Sequence, residues 1–374
     1  MIATIIVEYN PLHNGHIYHI NQTKQLLKQL APNEDNSIIA IMSGNFTQRG
    51  DISMLNKYTR AKHAIFAGVD MVIELPVVYA TSSAEYFANG AIQIANKIKD
   101  LGLICFGAEC DNFDTLNMIA ELTTKEEYNN LIKSFLNDGH SYPVACEKTM
   151  QKLTKIDTKI ANSPNNILGI EYIKQAKKLN CKAKLIPIKR IGGGYNEDNL
   201  TPQFNSAKSI RLALSQNITD TNLLKIPQFV CDDLTKSKID YDKFFAIIAN
   251  KCIDMDNVYE DNEGVINRIK KYSQIANNYE ELVELVHTKR YTKSKIKRIL
   301  THISLGHKSI ALTKIGKPNI LAVNEEKKHL LSKVDFSGDE IQSNLNSNAN
   351  KIYNILSNDK ISSDNMVIIK ANFY

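Results

Sequence analysis

No apolar run in the sequence is long enough to span a bilayer, which needs about 20 consecutive apolar residues in a helix. The first residues do not form the basic, apolar, small-residue pattern of a secretory leader, so a cytoplasmic protein with no membrane partner is expected. Six cysteines (Cys105, Cys110, Cys146, Cys181, Cys231 and Cys252) are scattered without a CxxC pair. That pattern argues for free thiols and against a disulfide frame or a zinc site. No Ser-His-Asp or Cys-His arrangement is recognisable, so no side-chain nucleophile is indicated. There is no internal repeat, and the one low-complexity patch, the Ser/Asn-rich residues 343–350, is expected to be irregular.

The most informative absence is of acid. Residues 285–324 contain no Asp or Glu, yet hold Lys289, Arg290, Lys293, Lys295, Lys297, Arg298, Lys308, Lys314 and Lys317 with His287, His302 and His307. A one-signed stretch of this length reads as an electrostatic footprint for a polyanion, with a solvated helix face as the bland alternative. Lys289, Arg290, Lys293, Lys297 and Arg298 fall in one helix-like run, where spacings of three and four bring the lysines to one face. Tyr291 offers either a stacking surface for an unpaired base or a core ring. Arg49, Lys57, Arg60 and Lys62 are the alternative cationic surface.

The length of 374 residues suggests two or three domains, and 43% apolar residues is ordinary for a globular protein. Apolar strand signals at 2–7, 37–42, 70–75, 103–106 and 184–188 alternate with helical periodicity at 17–30, 57–67, 82–98, 112–153, 167–179 and from 209. Pro76 stops the third strand and Gly107 the fourth. This alternation implies an α/β fold with a doubly wound parallel sheet over 1–226, whose ligand sits beyond the carboxyl ends of the strands. The pattern changes near Ile226-Pro227: 227–305 reads as a basic helical domain, and 306–374 as a small C-terminal segment with strand-like residues 310–323 and an apolar close at 366–369.

The segment Tyr9-Asn10-Pro11-Leu12-His13-Asn14-Gly15-His16 joins the first strand to the first helix. Pro11 breaks the strand, and Gly15, without a Cβ, admits close approach to the backbone. If the helix starts near Asn14, His13 and His16 face one point above its N-terminus, where free N–H groups and the helix dipole already favour anions. The pair then forms a phosphate cradle; the alternative is a loop histidine beside a capping one. The polar loop 43–51 leaves the second strand with Arg49 and two bounding glycines. Gly107 either lets an adenine or ribose lie against backbone or makes an ordinary turn. Asn165 sits where an amide most often caps a helix. Arg190 ends the fifth strand, its planar fork suited to phosphate or to stacking, and Gly192-Gly193-Gly194 lack dinucleotide-fingerprint spacing and read as a mobile loop. Ser206-Ala207-Lys208-Ser209-Ile210-Arg211 opens a helix, as a phosphate contact or as a capped surface helix. Glu8 and Asp51 are the nearest carboxylates to a metal, without forming a cluster; no protein-held metal site and no protein partner are indicated.

The strand–loop–His-x-Gly-His–helix arrangement resembles the HIGH-type, Rossmann-like nucleotidyltransferase superfamily. The ordered set 7–11, 13–16, 42–50, 72–76, 164–169 and 289–292 is similar to the bacterial tRNA(Met) cytidine acetate ligases, over nearly the whole chain and least beyond residue 324. Leu12 replaces a frequent aromatic of that family, and Asn45 a histidine of some members. The resemblance implies that acetate attacks the α-phosphate of ATP, escorted by Mg2+, and that the acetyl group passes to the N4 amine of the wobble cytidine of elongator tRNA(Met). It implies His13 and His16 as catalytic groups. It implies an ATP site of Val7, Glu8, Tyr9, Asn10, Pro11, Leu12, His13, Asn14, Gly15, His16, Ile17, Tyr18, His19, Ile20, Gly107, Asn165, Arg190 and Ile191, with Ser209 and Arg211 as further phosphate contacts. It places RNA binding on the basic segment. A small-molecule adenylyltransferase shares the histidine site but leaves the basic helical part unexplained. A non-catalytic tRNA-binding protein would not need both histidines.

Overall fold

The structure is a computed structural model that describes residues 1–374 except 192–203, 262, 309–313, 358, 362–365 and 371–374. Gly192, Gly193 and Gly194, and part of the strand-like stretch 310–323, lie outside the described residues.

Among the described residues, seven strands form one sheet in the order β5-β4-β1-β2-β3-β6-β7. They are β1 (Ile2–Val7), β2 (Ser37–Ser43), β3 (Met71–Leu75), β4 (Leu101–Ala108), β5 (Lys184–Lys189), β6 (Ile320–Asn324) and β7 (Val367–Ile369). The first five strands are parallel, with Ile2 opposite Ser37 in β1–β2 and Ala108 opposite Lys189 in β4–β5. Adjacent residues of β2 serve opposite faces. Ile38, Ala40 and Met42 pack with the helices Asn14–Leu30 and Lys57–Phe66, whereas Ile39 and Ile41 pack with Ala84–Ala95 and Pro164–Lys178. A strand buried on both faces has no need of polar alternation, which is why β2 reads as a continuous apolar run. β1 and β4 are neighbours although the chain builds β2 and β3 between them, so the crevice at their carboxyl ends is the topological switch point.

Several boundaries differ from the sequence-based expectation. β4 runs through Gly107 to Ala108, because parallel pairing with β5 continues there. The span 112–153 holds three helices with a break just before Tyr142-Pro143, as the sequence indicates, and Pro143 lies in the first turn of Tyr142–Leu153, where its missing N–H is harmless. Residues 240–300 are several helices, and the last, Lys293–Leu305, starts only after Thr292 caps it. Lys289 and Arg290 therefore lie in the preceding turn and share no helix face with Lys293 and Lys297. Residues 306–374 contribute β6, antiparallel to β3, and β7 to the same sheet as β1–β5.

The Ser/Asn-rich patch expected to be irregular lies inside the helix Ile341–Leu356. Two of its amides, Asn346 and Asn350, and the neighbouring Gln342 are buried, and each accepts from a backbone or side-chain donor. Gln342 Oε1 accepts from Gly316 N, Asn346 Oδ1 from Val77 N, and Asn350 Oδ1 from Asn45 Nδ2. Polar composition here marks a hydrogen-bonded docking face, which periodicity of apolar residues cannot reveal.

Two cations considered for an RNA surface are wholly interior. Arg60 donates to the carbonyls of Glu8, Ser43, Gly44 and Leu55, tying the carboxyl ends of β1 and β2 together. Lys57 Nζ contacts both oxygens of Glu74 at 3.0 and 2.9 Å, and Glu74 also accepts from Asn319 Nδ2 at 2.7 Å. Both side chains are buried, which removes Lys57 and Arg60 from any surface. Removing one partner of a buried ion pair leaves the other charge uncompensated. Lys57→Met is therefore expected to lower unfolding stability by about 3–5 kcal/mol. A urea titration checks this, and an unchanged midpoint would show the pair to be dispensable.

Candidate active site

The chain leaves β1 through Tyr9, whose φ of 51° is left-handed. Such a conformation in a bulky residue is held only where the surroundings enforce it, here in a fully buried turn. The helix Asn14–Leu30 then begins with His13 as its N-cap. His13 Nδ1 accepts from Gly15 N at 3.1 Å, and His16 Nδ1 accepts from His13 N at 3.3 Å. The two rings stack at 3.7 Å between centroids, and Tyr9 packs edge-on against His16. A Cβ on Gly15 would stand 3.0 Å from His13 Cε1, so glycine keeps this contact unstrained.

The hydrogen bonds set the chemistry. A neutral imidazole accepts only on the nitrogen that lacks hydrogen, so both rings carry their proton on Nε2. Burial, helped by Arg190 and Arg211, lowers the His13 pKa to about 3. Burial with neighbouring His13 and Arg190 also takes His16 well below its ordinary value, and burial lowers His19 to about 4. At neutral pH the pair is a set of uncharged N–H donors at the positive end of a helix dipole.

These groups open into a cleft of about 430 Å³ at the carboxyl ends of β1 and β4. From the expected ATP site it brings together Val7, Glu8, Tyr9, Asn10, His13, Gly15, His16, Tyr18, His19, Gly107, Asn165, Arg190, Ile191 and Arg211. Pro11, Leu12, Asn14, Ile17 and Ile20 are not on its wall. Leu12 and Ile20 are buried in the core beneath β1, because a helix entering a sheet must bury one stripe. Ser209 also turns inward, its Oγ donating to Ser206 O at 2.9 Å, so its hydroxyl closes its own helix turn. Arg211 reaches across to Asn10 O at 2.7 Å. Arg49, Lys208 and Arg298 join the wall, with Phe106, Tyr172 and Phe204; the positions of these residues become evident only once the loops meet.

Glu8 and Asp51 line the cleft, but both are committed. Glu8 Oε1 accepts from Gln48 N at 2.7 Å, and burial raises its pKa. Asp51 pairs with Lys297 at 2.9 Å and with Arg211 at 3.7 Å. Among the described residues no three His, Cys, Asp or Glu side chains converge as a metal-holding set.

The loop carrying Asp51 is also the seat of the helical part. Gly50, at φ 75°, lies against the helix Lys293–Leu305 so closely that a Cβ would come within 2.4 Å of Arg298 N. Thr301 Oγ1 completes the contact by donating to Gly50 O at 2.9 Å. Five cations of the acid-free stretch meet acids from outside it. Arg290 and Lys295 pair with Glu263, Lys293 with Glu284, Lys297 with Asp51 and Arg298 with Glu260. Arg298 and Lys297 thus belong to the cleft side, whereas Lys289, Arg290 and Lys293 are exposed. Among the described residues no helix is long and apolar enough to cross a membrane.

The family model for HIGH Nucleotidyl Transferase matches residues 1–373. The tRNA(Met) cytidine acetate ligase of Acetivibrio thermocellus is 37% identical over 361 residues, covering 89% of this chain and 85% of that protein. The apo crystal structure of Thermotoga maritima TmcAL superposes with a TM-score of 0.88 at 24% identity, covering 99% of this chain and 100% of that one. A second form of the same protein, bound with alpha-thio ATP, gives a TM-score of 0.84 at 24% identity over 98% and 99% of the two chains.

The depressed histidines predict a titration result. Their neutral form is favoured in the folded state, so the unfolded chain takes up protons first as pH falls below about 6.5. The stability these groups contribute is present above that value and declines as pH falls toward the folded values, about 3 for His13 and about 4 for His19. Nitrogen-detected NMR of labelled histidines should show His13 and His16 as neutral Nε2–H tautomers between about pH 8 and pH 5. A titration of either ring near its ordinary value would contradict the assignment.

Proposed function

The chain belongs to the tRNA(Met) cytidine acetate ligases among the HIGH nucleotidyltransferases, and from that premise we propose that it joins acetate to the wobble cytidine of elongator tRNA(Met) at the expense of ATP. The observation that carries this reading is the convergence of the His13 and His16 Nε2–H donors on a cleft rimmed by Arg49, Arg190, Lys208 and Arg211. Such a site binds a polyphosphate; the TmcAL form bound with alpha-thio ATP supports ATP as that ligand.

An acetate oxygen attacks the α-phosphorus, the bond to the β-phosphate oxygen breaks, and pyrophosphate leaves with acetyl-adenylate formed. The cytidine N4 amine then attacks the acetyl carbon, loses a proton and expels AMP, giving N4-acetylcytidine. A cytosine amine is a weak nucleophile, so the acid must be activated before transfer. Neither step needs a protein nucleophile. The protein aligns the reactants and places fixed dipoles where charge develops on the α-phosphate and the leaving pyrophosphate. Neutral donors suit this role: they stabilise the transition state without holding pyrophosphate by full ionic pairing. Mg2+, when it accompanies the nucleotide, would neutralise phosphate charge.

The division of labour follows the fold. The sheet unit, residues 1–226 with β6 and β7 returned from 306–374, holds ATP and acetate, and the helical unit 227–305 presents the tRNA. Its exposed Lys289, Arg290 and Lys293 are the phosphate contacts of this reading, since solvent-exposed pairs such as Lys293–Glu284 exchange partners at little cost. The protein works in the cytoplasm, where its tRNA is.

Mass spectrometry of tRNA nucleosides after incubation with ATP and labelled acetate tests the proposal. The wild type should yield labelled N4-acetylcytidine, and His13→Ala or His16→Ala at least about a hundred-fold less, as for loss of a transition-state donor. Lys289→Glu with Lys293→Glu should abolish the product while AMP and pyrophosphate formation from acetate continues. Unlabelled tRNA with the wild type would reject the function, and normal labelling with the histidine variants would reject the site.

A further inference from the structure

Glu109 follows the last residue of β4, and its carboxylate does not line the cleft. Both of its oxygens are engaged at the first turn of the helix Pro164–Lys178. Oε1 accepts from Asn165 Nδ2 at 2.6 Å, and Oε2 accepts from Asn166 N at 3.0 Å. An ionised carboxylate has no donor, so the Asn165 amide must turn its NH2 to Glu109. Asn165 itself lines the cleft, and the group it can offer a ligand there is its Oδ1 acceptor. The wall beside it is apolar: Pro164, Ile167 and Leu168 from the same helix, and Ile191 beyond β5. Ile167 and Ile191 are 40% and 44% exposed, a surface suited to a flat heterocycle, while the phosphate donors His13 and His16 stand at the start of the first helix.

We propose that Glu109 is a positioning residue that makes the cleft select a 6-aminopurine nucleotide, by holding Asn165 with its carbonyl oxygen toward the base. The proposal rests on the reading that the cleft holds a nucleoside triphosphate. An exocyclic amine donates to Asn165 Oδ1; a 6-oxo purine would set two acceptors face to face and leave both unpaired. The isosteric change Glu109→Gln inverts the arrangement. The Asn166 backbone N–H cannot turn, so the glutamine oxygen stays with it and the glutamine NH2 faces Asn165. Asn165 must then rotate its amide by half a turn, giving its oxygen to Gln and its NH2 to the cleft.

Calorimetric binding of ATP, purine riboside triphosphate (no group at position 6) and inosine triphosphate (an oxygen there) to the full chain tests this. The wild type should bind ATP on the order of ten-fold more tightly than purine riboside triphosphate, with inosine triphosphate weaker again. Glu109→Gln should lower the ATP-to-inosine triphosphate preference by about ten-fold or more, weakening the first ligand and strengthening the second. A role confined to capping the helix would weaken all three alike and leave the ratio unchanged, which would overturn the proposal. The wild-type series needs no variant to fold: equal affinity for ATP and purine riboside triphosphate also overturns it. No binding of any triphosphate would instead refute the nucleotide reading of the cleft, a distinct outcome.

Discussion

Two backbone hydrogen bonds to imidazole nitrogens organise this molecule's site: Gly15 N to His13 Nδ1 and His13 N to His16 Nδ1. They satisfy donors that a helix start leaves without partners, so they begin the Asn14–Leu30 helix. The same bonds occupy the nitrogens that would otherwise accept, and so fix which nitrogen points a proton outward. Folding and chemistry therefore depend on one arrangement. Burial reinforces it, since a charged ring would be costly there and the neutral donor form is retained.

The scaffold around this start is built from polar groups held indoors. Arg60 clamps the ends of β1 and β2 through their carbonyls, and the buried Lys57–Glu74 pair holds the neighbouring helix to β3. The loop between them leaves β2, passes the cleft and ends at Gly50 and Asp51, where the helix Lys293–Leu305 is seated. Asp51 touches both Lys297 of that helix and Arg211 of the cleft. The helix Lys293–Leu305 is thereby tied through one carboxylate to the wall of the cleft.

The parallel sheet was legible because strands buried on both faces are written as apolar runs between periodic helices, as in 37–42 and 70–75. The histidine pair was legible because a proline-broken strand end and a glycine precede a helix at fixed spacing. What escaped the sequence was pairing over long range. The acid-free run looked like a uniform cationic face, yet Glu260, Glu263, Glu284 and Asp51 reach it from outside. Lys57 and Arg60 looked like surface cations because nothing local announces Glu74 or the carbonyls they meet. The amides of residues 343–350 looked like loop for the same reason. The bearing of Glu109 on Asn165 exists only once β4 and the Pro164–Lys178 helix are packed.

On the proposed function, acetate is activated in the cleft without tRNA, and the tRNA enters only for the second step. Exchange of labelled pyrophosphate into ATP tests it most directly, because acetyl-adenylate formation is reversible and leaves the second step aside. The purified full chain, without tRNA, is expected to catalyse exchange only when acetate is present. Exchange that ignores acetate and requires a mononucleotide, or no exchange with acetate at saturating ATP, would contradict the claim.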